Sequence, residues 1–167
     1  MIPTIEFWSQ NNEYGIRLFE PEINSMLRLC EESQSIETGG VILGKYTTAL
    51  DCAVVTEITP PPSDSRRGSS WFRRGTRGLE KKLAKLWKTD KEYYLGEWHF
   101  HPGGSATLSG TDQRGMQGIS ETPGYKCPEP ILIIIGGSFP NAWEIRAYIF
   151  KPGSPFIELN SLNKSSK

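Results

Sequence analysis

The run Leu95-Gly96-Glu97-Trp98-His99-Phe100-His101-Pro102 holds both histidines of this 167-residue chain. Read as a strand, it puts His99 and His101 on one face and Trp98 and Phe100 on the other. The aromatics can bury themselves and hold the imidazoles opposite. Pro102 cannot donate to a ladder, so it ends the strand and leaves His101 near a sheet edge or cleft mouth. A loop of small residues follows, Gly103-Gly104-Ser105-Ala106, and then Ser109 and Asp112. The spacing is His-x-His, ten residues, then Asp. Two imidazoles and a carboxylate are three of the four ligands that a catalytic zinc keeps, water being the fourth.

Outward from that strand, the chain reads as short strands punctuated by Gly, Pro and polar clusters. Thr4 to Trp8 and Ile16 to Phe19 form an expected hairpin across Asn11-Asn12. Pro21-Glu22 opens a helix with Ile23, Met26, Leu27 and Cys30 at helical spacing. Val41 to Tyr46 and Ala53 to Thr59 are the next strands, and Ser63 to Ser70 reads as a polar loop. A second helix fits Thr76 to Lys88, with Leu79, Leu83, Leu86 and Trp87 on one face. Tyr93 to His101 is the histidine strand, and Ser109 to about Ser120 is a third helix weakened by Gly115 and Gly118. Ile131 to Ile135, Ala142 to Phe150 and Phe156 to Leu159 complete the strands, while Met116 to Pro130 reads as a flap or a plain surface loop. The predicted class is α/β of the α+β type, a mixed sheet with helices packed on it. Residues 1–160 form one expected domain and 161–167 a disordered tail, frayed over Lys164 to Lys167.

Composition narrows the function classes. Lys plus Arg equals Asp plus Glu at 19 each, so no global field draws the chain to nucleic acid or an anionic membrane. Apolar runs such as Ile131 to Ile135 are far too short to span a bilayer. The opening residues lack the order of a secretory signal. Cys30, Cys52 and Cys127 are odd in number and widely spaced, which suits reduced core thiols and a cytoplasmic protein.

Each site residue also has an ordinary explanation. Ser109 and Asp112 stand as Ser-x-x-Asp, a capping box at a helix start. A lone histidine is usually a satisfied core or surface imidazole, but the joint placement of all four residues favours a metal. Asp and His do not follow the pair as a metallo-β-lactamase fold requires, and cysteine pairs for a zinc finger are missing. With no third histidine, a carboxylate must complete the set, and Asp112 lies at the right distance. A hydrolytic zinc also needs a base. Glu37, just before Gly39-Gly40, is one candidate; Glu97, two residues from His99 and on the same face, is a rival or a second-shell partner.

The set Glu37 with Gly40 and Gly44, His99, His101 with Pro102, Ser109 and Asp112 resembles the JAB/JAMM (MPN-plus) metallopeptidases. The resemblance implies a curved mixed β-sheet between helices, a three-layer fold like that of cytidine deaminases. It implies one zinc held by His99, His101 and Asp112, Glu37 as general acid/base, and Ser109 donating to the oxyanion. It further implies cleavage after the C-terminal tail of a ubiquitin-like or conjugated protein. The length and the Leu95 to His99 run look most like the bacterial deconjugating peptidases of CBASS antiphage operons. There the conjugated partner is the operon's cyclic-nucleotide synthase.

Arg66, Arg67, Arg73 and Arg74 flank Trp71-Phe72 and could line a groove for an acidic or extended peptide, with Arg66, Arg67, Trp71 and Arg73 the candidate substrate-binding residues; a solvated basic loop is the plain alternative. An extended substrate tail is expected to pair with an exposed strand edge. Rival functions are sulfur-carrier processing by the same chemistry, a non-catalytic zinc-containing docking module, and nucleic-acid association through the arginine loop. Net neutrality disfavours the last.

Overall fold

The computed structural model describes residues 4–162. Strands β1 (Thr4–Trp8) and β2 (Gly15–Phe19) form the expected antiparallel hairpin. Helix α1 (Glu20–Ser33) starts at once, with Pro21 and two glutamates in its first turn, where proline and acids are favoured. Strands β3 (Thr38–Tyr46) and β4 (Cys52–Ile58) follow. The expected polar loop instead folds a small ribbon, β5 (Arg66–Arg67) paired with β6 (Phe72–Arg73). Then come α2 (Leu79–Asp90), β7 (Tyr93–Pro102), α3 (Gly110–Glu121), a 3-10 turn at Pro123–Tyr125, β8 (Ile131–Ser138), β9 (Ala142–Ile149) and β10 (Ile157–Ser161).

The sheet is mixed and curved, as expected, and it closes into a barrel of order β1-β10-β9-β8-β7-β3-β4-β2. The β2–β4 and β7–β8 pairs are parallel. The closing seam is short: Phe7 faces Ser161 and Trp8 faces Asn160. That seam corrects the tail expectation at its start. Ser161 is ladder-paired, and the Leu162 amide donates to the Glu6 carbonyl at 2.9 Å. The rest of the expected tail, 163–167, lies outside the described residues.

Three apolar clusters define the layers. Inside the barrel, Phe7, Ile16, Leu18, Trp98, Phe100 and Ile133 pack with Ile23, Met26 and Cys30 of α1. On the outer side, α3 lays Met116 against Leu132, Ile134 and Tyr148. Leu79, Leu83 and Leu86 of α2 cover Val41, Leu43 and Tyr94. Trp87 departs from the expected buried face. It is 54% exposed, its ring near Tyr93 and under the Lys91 ammonium. Met116 to Pro130 is anchored by buried Met116 and Cys127, with residues 121–126 exposed between them. Among the described residues no helix is long and apolar enough to cross a membrane.

The β7 strand shows the predicted two-faced character. Trp98 and Phe100 are buried in the barrel, while His99 and His101 face outward beside α3. The Trp98 Nε1–H donates to the Thr59 carbonyl at 2.9 Å, so even its polar atom is satisfied. Gly40 makes room for this contact: a Cβ there would lie 2.9 Å from the indole nitrogen. Replacing Trp98 by Ala empties the largest fully buried site. It should cost about 3–5 kcal/mol, read as a lowered urea-unfolding midpoint with zinc absent.

Candidate metal centre

Helix α3 begins with the predicted capping box. The Asp112 N–H donates to Ser109 Oγ at 3.0 Å, and the Ser109 N–H donates to Asp112 Oδ2 at 3.1 Å. The Ser109 hydroxyl also donates to Oδ2, at 2.6 Å. The carboxylate meets the histidine strand as well. His99 Nδ1 lies 2.8 Å from Oδ1 and His101 Nε2 lies 3.2 Å from Oδ2. One side chain therefore both caps α3 and meets the two imidazoles of β7.

The loop joining strand to helix is held from β9. Ala106 donates its N–H to Glu144 Oε1 at 2.7 Å and accepts from the Tyr148 hydroxyl at 2.9 Å. Ser105 thereby presents its carbonyl to His101 Nδ1 at 3.2 Å. A carbonyl accepts, so Nδ1 carries the proton and Nε2 is the nitrogen turned toward Asp112.

Among the described residues no three His, Cys, Asp or Glu side chains stand ready as a cation cage; the imidazoles close onto the carboxylate instead. The donor chemistry nonetheless fits zinc. A tetrahedral site with bonds near 2.0 Å sets ligand atoms about 3.3 Å apart; the His101 pair is near that spacing at 3.2 Å, while the His99 pair, at 2.8 Å, is a hydrogen bond. His101 also shows the habit of a ligating histidine, its other ring nitrogen tied to a backbone carbonyl.

The two candidate bases occupy different surroundings. Glu97 is buried and fully engaged. Arg74 Nε lies 2.8 and 2.7 Å from its two oxygens, and the Tyr94 hydroxyl donates to Oε1 at 2.8 Å. The Arg74 and Glu97 side chains are only 11% and 4% exposed. Burial works against the Arg74 charge, but Glu97 holds its pKa above the ordinary range. Among the described residues no hydrogen bond links Glu97 to a histidine; in place of the expected support of a metal ligand it forms an ion pair with Arg74, just after the ribbon. Glu37 instead lines an open cleft of about 320 Å³ with Ser70, Trp71, His101, Ser109 and Asp112. Burial raises its carboxyl pKa; Asp112 adds to this, while His101 and His99 oppose it.

The ribbon supplies what the sequence reading left vague. Arg67 and Phe72 form one cross-strand pair. Phe72 sets its ring edge on His99, with centroids 5.5 Å apart, and Arg67 Nη1 donates to Thr38 Oγ1 at 3.2 Å. Trp71 is 50% exposed on the cleft wall. Arg66 and Arg73 line a separate cleft, and Arg73 also borders a cavity with His99 and Asp112. The closed barrel leaves this ribbon as the strand edge beside the site. Gly39 permits the packing, since a Cβ there would fall 2.9 Å from the Phe72 ring and 3.0 Å from that of His99. Tyr94 carries no sequence signal of its own; Phe72 and Arg74 belong to the arginine–aromatic cluster read as a groove, where nothing local announces their contacts with His99 and Glu97.

Prokaryotic homologs of the JAB domain match this chain over residues 20–148. The chain belongs to the JAB family. This JAB protein is 38% identical over 161 residues to a CD-NTase/cGAS isopeptidase of Enterobacter hormaechei, covering 96% of this chain and 89% of that one. It is 27% identical over 131 residues to a probable metalloprotease, y4qB, of Sinorhizobium fredii, covering 74% and 79%. Its fold is similar to the solution structure of protein DSY2949 from Desulfitobacterium hafniense. There the TM-score is 0.61 and the identity 17%, over 85% of this chain and 86% of the other.

The His101–Asp112 pair of this JAB protein has a defined pH window. Burial alone would lower the His101 pKa, but the Asp112 hydrogen bond and charge raise it above 6.5. Burial would raise Asp112, yet His101, His99 and Ser109 hold it far below 3.8. The His101 contribution is complete below 6.5 and is lost as pH rises through the raised value; the Asp112 contribution is present above 3.8 and is lost as pH falls toward its lowered value. Metal-free protein should therefore gain Tm on titration from pH 8 to pH 6 relative to His101→Gln. Zinc affinity should fall over the same interval, because a ligating imidazole must be neutral. Melting curves and zinc titration at both pH values check this.

Proposed function

We propose that this protein is a zinc-dependent peptidase or isopeptidase that cleaves after the C-terminal tail of a ubiquitin-like or tail-conjugated protein. The relative named for CD-NTase/cGAS supports a narrower role: release of a conjugated cyclic-nucleotide synthase in bacterial antiphage (CBASS) signalling, in the cytoplasm. The observation that carries the reading is the open cleft on which Glu37, His101, Ser109 and Asp112 converge.

His99, His101 and Asp112 would hold one zinc ion per chain. Bound there, zinc supplies a Lewis acid that polarises the scissile carbonyl and makes water more acidic. Glu37 accepts the proton of the attacking water and passes it to the departing amine nitrogen. Its burial brings the carboxyl nearer the range in which it both takes and gives a proton. Ser109 Oγ, whose hydroxyl donates to Asp112 Oδ2 before substrate arrives, would turn to donate toward the oxygen that gains negative charge. Trp71 offers an apolar wall to the substrate chain. A zinc kept only for structure needs a closed ligand set rather than an open cleft with a free carboxyl, which weighs against the non-catalytic docking reading.

The test uses zinc-loaded protein and a C-terminal fusion of the cyclic-nucleotide synthase. Glu37→Gln should lower kcat about 10²-fold or more with zinc content unchanged, measured by turnover and metal analysis. His101→Ala should lose the zinc. Wild-type turnover by Glu37→Gln would remove Glu37 from the mechanism, and failure of the wild type on every tail fusion would remove the peptidase reading.

A further inference from the structure

Five arginines and no acidic residue lie between Ser65 and Gly78. Their surroundings differ. Arg74 is committed to Glu97, and Arg67 to Thr38. Arg66 and Arg73 stand directly opposite each other across the ribbon, both exposed. Among the described residues neither has a carboxylate within ion-pair distance. Like charges directly opposed destabilise a strand pair, and a two-stranded ribbon is marginal by itself.

Both arginines face a cleft of about 370 Å³, lined also by Asp64, Arg74, Gly75 and Thr76. The carboxylate in that cleft is already occupied: Asp64 accepts from the Thr76 and Arg77 amides at 3.1 and 2.9 Å. These bonds hold it below the ordinary carboxylate range. Arg73 additionally lines a second cavity, of about 210 Å³, with His99 and Asp112. Arg73 and the Glu97-bound Arg74 thus lie between the arginine cleft and the candidate metal centre.

We propose that Arg66 and Arg73 form a recognition site for an acidic segment of the protein substrate, close to the bond being cleaved. The site itself stands on the ribbon geometry; assigning its ligand to the substrate rests on the peptidase reading. Guanidinium forks pair with carboxylates in a planar, bidentate way, and an anion between the two arms removes their mutual repulsion. Carboxylates rather than a nucleic-acid backbone are the class that fits. Phosphate tracking needs a basic stripe, whereas here two free arginines flank an acid in a chain of zero net charge.

The experiment uses the whole protein and a short fluorescent poly-glutamate peptide, with poly-glutamine of the same length and a single-stranded oligonucleotide as comparisons. Fluorescence anisotropy should show poly-glutamate bound more tightly than either, with binding weakened by salt. Arg66→Gln/Arg73→Gln should lose about tenfold in affinity without a lower Tm, and the double lysine variant should recover part of it. With a cleavable fusion carrying acidic residues near the tail, the same variant should raise KM about tenfold and leave kcat unchanged. Equal poly-glutamate binding by wild type and variant, no binding by wild type, or preference for the oligonucleotide would each overturn the proposal. Arginine-dependent binding without turnover of any tail fusion would instead overturn the peptidase reading and leave the acidic site standing.

Discussion

The Asp112 carboxylate joins α3 to β7. Its Oδ2 closes the capping box with Ser109, and its two oxygens meet His99 and His101. A carboxylate in the first turn of a helix also sits favourably against the helix dipole. The start of α3 is therefore positioned by the same bonds that orient the imidazoles. Neither element can shift without the other. Glu144 and Tyr148 hold both backbone groups of Ala106, so the loop between strand and helix adds little freedom to the site.

The second constraint is the division of β7 into two faces. The Trp98 and Phe100 rings fill the barrel, so rotating the strand to bury the histidines would expose the largest apolar groups in the core. A bulge adjusts the same strand further back. Gly96 pairs with Ile42 while Tyr94 pairs with Leu43, leaving Leu95 as the extra residue. In a regular strand, positions 94 and 97 point to opposite faces. The extra residue brings both outward, and the Tyr94 hydroxyl reaches Glu97. A backbone irregularity therefore builds the pocket that receives Arg74.

Much of the centre was legible because its signals are local. The His99/His101 alternation, the Pro102 stop and the Ser109–Asp112 box all depend on neighbours within a few residues. Strand and helix types followed from period and punctuation for the same reason. What escaped depends on distant pairing. Barrel closure rests on Phe7 meeting Ser161, a contact that no local pattern announces and that falls where a tail was expected. The β5–β6 ribbon was hidden because two-residue strands carry no periodicity. The tie between Arg74 and Glu97 spans 23 residues and required the fold to bring the ribbon onto β7.

That tie separates two glutamates that proximity alone left equal. Glu97 is nearer to the histidines in sequence, yet its lone pairs are taken up by a guanidinium and a phenol in a buried place. Removing that carboxylate would leave Arg74 as an uncompensated buried charge, a costly arrangement. Glu37 has no such cation and sits on the open cleft, where a proton can arrive and leave. The same accounting explains the arginines. Where a carboxylate is present, as for Arg74, the charge is buried and structural. Where no carboxylate stands within ion-pair distance, as for Arg66 and Arg73, the charge remains on the surface facing a cleft, and Arg73 also lines a cavity with His99 and Asp112.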